Sequence, residues 1–111
     1  MKNVRESISP AGDLPMLVLR VLQSGQLHGY AIAQKIYLLS SEVLAVEEGL
    51  LYPTLQKMLV KGWVKADWGI SETNRKVRFY QITAAGRKQL AAEVKEYDRL
   101  NSAIREVLRA S

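Results

Sequence analysis

A chain of 111 residues, 48% hydrophobic and 24% charged, has the size and composition of one soluble domain with a single core. The absence of cysteine excludes a disulfide framework and a thiolate metal site and suits a reducing cytoplasm. No apolar run approaches the roughly 18 residues of a membrane span, and the N-terminus reads as lacking a signal peptide.

Met1 to Gly12 is short and polar, contains Pro10 and Gly12, and is expected to be a poorly ordered, flexible arm. Asp13 is a good N-cap, and Pro15 falls in a first helical turn, where its missing donor costs nothing. Leu14, Leu17, Val18, Val21 and Leu22 follow as one helical stripe. Met16 and Leu19 lie off it and are apolar too, so this helix is expected to need a second surface, such as a partner subunit. Gly25 ends it. Leu27-His28-Gly29-Tyr30 opens a second helix carried by Ile32, Ala33, Ile36, Tyr37 and Leu39. His28, the single histidine, has no cysteine or carboxylate at ligand spacing, which favours a turn or capping role over a metal site. Ser40 to Glu42 break the helix, and Val43 to Val46 are expected to form a short strand edge.

The third helix begins near Glu48 or Gly49. Leu51, Leu55, Met58 and Leu59 form its apolar stripe, and Gly62 stands where a left-handed cap is wanted. Pro53, Gln56, Lys57, Val60 and Lys61 occupy the opposite side, with Leu50 and Thr54 on one flank and Tyr52 on the other. Two strand-like runs follow, Trp63 to Trp68 and Val77 to Ile82, joined by the polar GISETNRK, which reads as a hairpin loop. Helix, strand, basic loop, strand is the order of a winged helix-turn-helix over residues 13–83.

Thr83 can cap a last helix, in whose first turn Gly86 suggests close approach of another backbone. Leu90, Val94, Tyr97, Leu100, Ile104, Val107 and Leu108 then run at helical spacing. A helix from Thr83 to Leu108 would span roughly 40 Å, longer than a small domain is wide. Residues 84–111 are therefore expected to be a dimerisation helix, with Met16 or Leu17 joining the seam; Asn101 falls beside the stripe, where a buried polar residue could fix register, although an exposed Asn is the favoured state. The fold class is mainly α with a small β-hairpin.

The net charge of +5 is confined to one unit. Residues 1–47 and 89–111 each balance to zero, while residues 48–88 carry eight basic groups against three acidic ones. Such confinement is the footprint of a phosphate-binding face.

The segments LHGYAIAQKI, VEEGLLYPTLQKMLVKGWVKADWG and NRKVRFYQITAAGRKQL closely resemble the PadR family of bacterial transcriptional regulators. The likeness runs from Leu14 to Leu90, and its most specific element is the Leu51-Tyr52-Pro53 tripeptide followed by the wing pattern. The short C-terminal helix is similar to the branch with a small dimerisation helix, including members common in acidobacteria. The resemblance implies a winged-helix homodimer, mainly a repressor, at a pseudo-palindromic operator. It implies Tyr52, Pro53 and Thr54 at the groove, and Arg75 and Lys76 in the wing. Leu50 departs from the small polar residue usual in the family; it could meet a thymine methyl or pack. Combined with the residue-level reading, the expected DNA contacts are Tyr30, Gly49, Leu50, Tyr52, Pro53, Thr54, Gln56, Lys57, Asn74, Arg75, Lys76 and Arg78. The expected dimer contacts are Met16, Leu17, Val94, Tyr97, Leu100, Asn101, Ile104, Val107 and Leu108.

Double-stranded DNA and a second copy of the chain are the expected partners, without membrane, metal or cofactor. A small-molecule effector is compatible with the family but unidentified. An enzyme is the poorest reading: there is one His, no Gly-rich phosphate loop and no acid/base carboxylate pair. The rival is a winged helix used only for protein–protein contact, and a basic wing at Asn74-Arg75-Lys76 speaks against it. Trp63 and Trp68 read as core and edge packing.

Overall fold

The computed structural model describes residues 13–110; the expected arm, Met1 to Gly12, lies outside them. Four helices surround one core: α1 (Asp13–Leu22), α2 (Gly29–Leu39), α3 (Glu48–Val60) and α4 (Ala84–Arg109). A three-stranded antiparallel sheet of β1 (Leu27–His28), β2 (Val64–Ile70) and β3 (Lys76–Ile82), in the order β1-β3-β2, completes the winged helix.

α1 is the central pillar, packed against all three other helices and β3. Leu14, Val18, Leu19, Val21 and Leu22 are all buried. Leu19 therefore needs no partner subunit, contrary to the sequence expectation: helices surround α1 and cover a wider arc than one stripe. Met16 and Leu17 are half-buried against the same core. On α2, Ile32 and Ile36 are buried, whereas Leu39, at the C-terminal end of the helix, is exposed.

The third strand is not where the apolar run Val43 to Val46 suggested. Ser41 and Glu42 both take left-handed φ, 57° and 68°, and Leu44 gives its N–H to Ser40 Oγ at 2.9 Å. Residues 43–46 thus pass as an irregular connection. The free edge of β3 is taken instead by Leu27 and His28, paired with Tyr80 and Phe79.

α3 ends as its glycine predicts. Trp63 N–H donates to Met58 O and Gly62 N–H to Leu59 O, both at 3.0 Å, with Gly62 at φ 77°. That is the double bond of a Schellman cap. The hairpin is tighter than its sequence reading, because the strands run on through Gly69, Ile70 and Lys76. Ser71 N–H bonds Arg75 O at 2.8 Å, Asn74 N–H bonds Ser71 O at 2.9 Å, and Asn74 takes φ 62°. This is a short turn closed by a left-handed residue. Gly69 lies in β2 opposite Val77, with the Phe79 ring packed across it: a Cβ there would sit 2.7 Å from Phe79 Cε2.

Thr83 fastens α4 to the segment that follows α3. Its hydroxyl donates to Gly62 O at 2.6 Å and accepts from Gly86 N–H at 3.0 Å. Gly86 packs on the Trp63 carbonyl so closely that any Cβ would collide with it, as the sequence suggested. Past Leu90, α4 leaves the core, which gives the chain its long dimension of 57 Å against 36 and 22 Å.

Candidate nucleic-acid interface

α3 turns Leu51, Leu55 and Met58 inward and leaves Gly49, Pro53, Gln56, Lys57, Val60 and Lys61 exposed. Leu50 is half-buried against the core, so much of its side chain packs. Pro53 is the sixth residue of the helix and has no N–H to give, so the Gly49 carbonyl lacks its usual i+4 donor on the exposed face. Thr54 is half-buried, and its hydroxyl donates to Leu50 O at 2.8 Å.

Between the start of α2, the exposed side of α3 and the inner face of the wing lies a cleft of about 1030 Å³. It brings together six residues the sequence had marked: Tyr30, Tyr52 and Gln56 on the helix side, Arg75, Lys76 and Arg78 on the wing. Glu48 and Glu72 line it too and moderate its positive charge. Gly49 and Pro53 lie outside its lining on the exposed face of α3, and Asn74 at the turn of the wing. Thr54 and Lys57 face elsewhere. They border a second groove of about 590 Å³, shared with Met16 of α1 and Tyr97, Leu100, Asn101 and Ile104 of α4.

Tyr52 links the helices. Its ring rests on Gly29, where an added Cβ would fall 2.5 Å from the phenolic oxygen. Burial raises the Tyr52 pKa above its ordinary value, and nearby Glu48 and Tyr80 push the same way. The phenol therefore remains a neutral donor. His28 caps α2, its Nδ1 accepting from Ala31 N–H at 3.3 Å, and its ring stacks near Tyr30 with centroids 6.5 Å apart. The capping role expected for it holds.

Among the described residues the ion pair is Glu96–Arg99, on α4, so no carboxylate lies within ion-pairing distance of the wing cations. Arg78 stacks between Trp68 and Tyr80, its guanidinium carbon 5.7 and 6.0 Å from the ring centres, and Lys76 Nζ lies 5.2 Å from the Trp68 ring. Trp68 thus packs on the edge strand β2, as its sequence reading has it, but against charged side chains. Its signal was the alternation Val64, Ala66, Trp68, Ile70, which puts it on the core-facing side of β2 beyond the reach of the core. Among the described residues no group of three or more His, Asp or Glu side chains is placed to hold a metal.

Residues 18–92 match the family described as the transcriptional regulator PadR-like family. The chain belongs to the PadR-like family. An uncharacterized protein of Lysinibacillus sphaericus is 29% identical over 86 residues, 78% of this chain and 79% of that one. A transcriptional regulator from Clostridium thermocellum shares the fold at TM-score 0.77 and 25% identity, over 84% of this chain and 90% of that one. A PadR family regulator from Eggerthella lenta does so at 0.77 and 22%, over 92% and 87%. In this PadR-like regulator the match ends at residue 92, and the exposed half of α4 lies beyond it. No helix among the described residues is long and apolar enough to cross a membrane.

Proposed function

We propose that this PadR-like regulator binds duplex DNA sequence-specifically in the cytoplasm, as a homodimer on a pseudo-palindromic operator, and represses transcription by occupying it. The observation that carries the reading is the cleft between α3 and the wing, where Gln56 and Tyr52 face Arg75, Lys76 and Arg78, cations that form no ion pair with a carboxylate among the described residues. An exposed helix face of moderate charge suits the major groove. Fixed cations beside it suit the phosphates of the adjoining strand. The basic wing speaks against the rival reading, a module made only for protein contact.

The homodimer rests on α4. Its apolar stripe grows more exposed along the helix, from 40% at Val94 to 77% at Leu108, and the 590 Å³ groove continues it onto α1 at Met16. Residues 84–111 act as the dimerisation element and 13–83 as the DNA-binding domain, with Asn101, half-buried in the groove, set to fix register. Titration of duplex DNA at increasing salt tests the reading. Phosphate-dominated binding with about 6–10 contacts loses roughly 10³–10⁵ in affinity between about 50 and 200 mM salt. Absence of duplex binding at low salt removes it.

A further inference from the structure

Trp68 occupies a position that strand alternation should bury, yet 63% of its surface is exposed. Val64, Ala66, Trp68 and Ile70 share one face of β2, opposite Ile82, Tyr80, Arg78 and Lys76 of β3. Near Val64 and Ile82 this face is core. Further out the helices no longer cover it, and the same face lines the cleft opposite Gln56. What lies against the indole is charge: Lys76 Nζ at 5.2 Å and the Arg78 guanidinium at 5.7 Å from its centre.

The stack has two consequences. It holds two cations in place on the wing before any ligand arrives, which lowers the ordering cost of binding. It also removes Arg78 Nε from solvent without giving it an acceptor among the described residues, a cost the fold bears to keep the guanidinium against the two rings. An apolar plate flanked by two fixed cations matches a ligand with an apolar face between two anions. A deoxyribose between successive phosphates has that chemistry.

We propose that Trp68 is a DNA-contacting residue whose indole lies against a sugar of the strand passing between α3 and the wing, with Lys76 and Arg78 on the neighbouring phosphates. The assignment rests on the DNA-binding function proposed above. Covering the indole excludes water from both cations and strengthens their charge-assisted bonds to phosphate. Because sugars and phosphates are the same at every step, the contact adds affinity and little sequence preference.

The chain has two tryptophans, so fluorescence can assign the contact. The probe is a mixed-sequence duplex at about 50 mM salt, where phosphate contacts are strong. Adding it should change the emission of Trp63→Phe, which retains Trp68, and leave that of Trp68→Phe unchanged. Trp68→Ala should bind the duplex about tenfold more weakly, the scale of removing one buried aromatic side chain, with helix content and sedimentation unchanged. Wild-type affinity in Trp68→Ala, or an emission change that survives in Trp68→Phe, overturns the assignment while leaving the DNA-binding function intact. Altered sedimentation of Trp68→Ala overturns it too, and makes the β2 edge a contact between copies of the chain. If the wild-type protein binds no duplex at all, both readings fall together.

Discussion

Two glycines show how one residue type does different work according to the atom it faces. At Gly86 the neighbour is the Trp63 carbonyl, which Thr83 N–H and Oγ1 also hold, so the backbone cannot yield. Gly86→Ala should destabilise the fold by about 1–3 kcal/mol or more, the scale of overpacking in a rigid site, measurable by urea unfolding. At Gly29 the neighbour is the outer end of the half-exposed Tyr52 ring, which can swing away. Gly29→Ala should leave stability nearly unchanged and weaken duplex binding, because the displaced ring enters the cleft. Equal losses of stability in the two variants would contradict this contrast. Tyr52 carries its own pH signature. A pKa raised in the folded state means that its contribution is fully present below the unfolded value of about 10 and is lost as pH rises through the folded one. Wild type should lose stability above about pH 10 by more than Tyr52→Phe does in parallel denaturant titrations. Identical alkaline limbs would show that the ring's surroundings do not disfavour its ionised form.

At the scale of elements, α3 and the wing divide the work of recognition. Arg75 and Lys76 stand on the wing, where phosphates are the natural partners; Gln56 projects from the exposed face of α3, where its amide can address the edge of a base. Arg75→Ala or Lys76→Ala should weaken binding to preferred and random duplexes alike and reduce the salt slope by about 1 for each phosphate no longer neutralised. Gln56→Ala should cost about 1–3 kcal/mol on the preferred sequence and little on random DNA. Loss of sequence preference in the wing variants alone would reverse the two roles. Both elements were legible in the sequence for local reasons. Leu51, Leu55 and Met58 repeat at helical spacing, Gly62 caps, Thr83 caps, and the turn residue Asn74 separates two β-rich runs. What local pattern could not supply was pairing. Leu27 and His28 form a strand only because β3 offers an open edge, and Val43 to Val46 do not because the preceding turn takes the Leu44 donor. Likewise helical spacing put Thr54 and Lys57 beside Gln56, but the position of α4 decides that they border the other groove.

At the scale of the whole molecule, the apolar side of α4 is the surface that the fold leaves without a cover. Tyr97, Leu100 and Ile104 are each about half exposed on a helix that outruns its own core, and no other element among the described residues covers them. Fully burying such a side chain is worth about 1.5–3 kcal/mol, and a two-fold dimer buries each position twice. Ile104→Lys would put two cations into that seam while leaving the core, whose last α4 member is Leu90, untouched. The variant should therefore sediment as a monomer with its thermal unfolding still cooperative. Each monomer would carry one α3 and one wing, enough for a half-site. Joint affinity for two half-sites, about 10 bp or a multiple apart, comes from the linkage between subunits and would disappear. Binding to a single half-site should change little, so the ratio of palindrome to half-site affinity is the quantity to measure. A monomeric variant that keeps that ratio would show that dimerisation is not what joins the half-sites. A variant that remains dimeric would move the interface off the α4 stripe, to the exposed Leu38 and Leu39 of α2 as the next apolar surface.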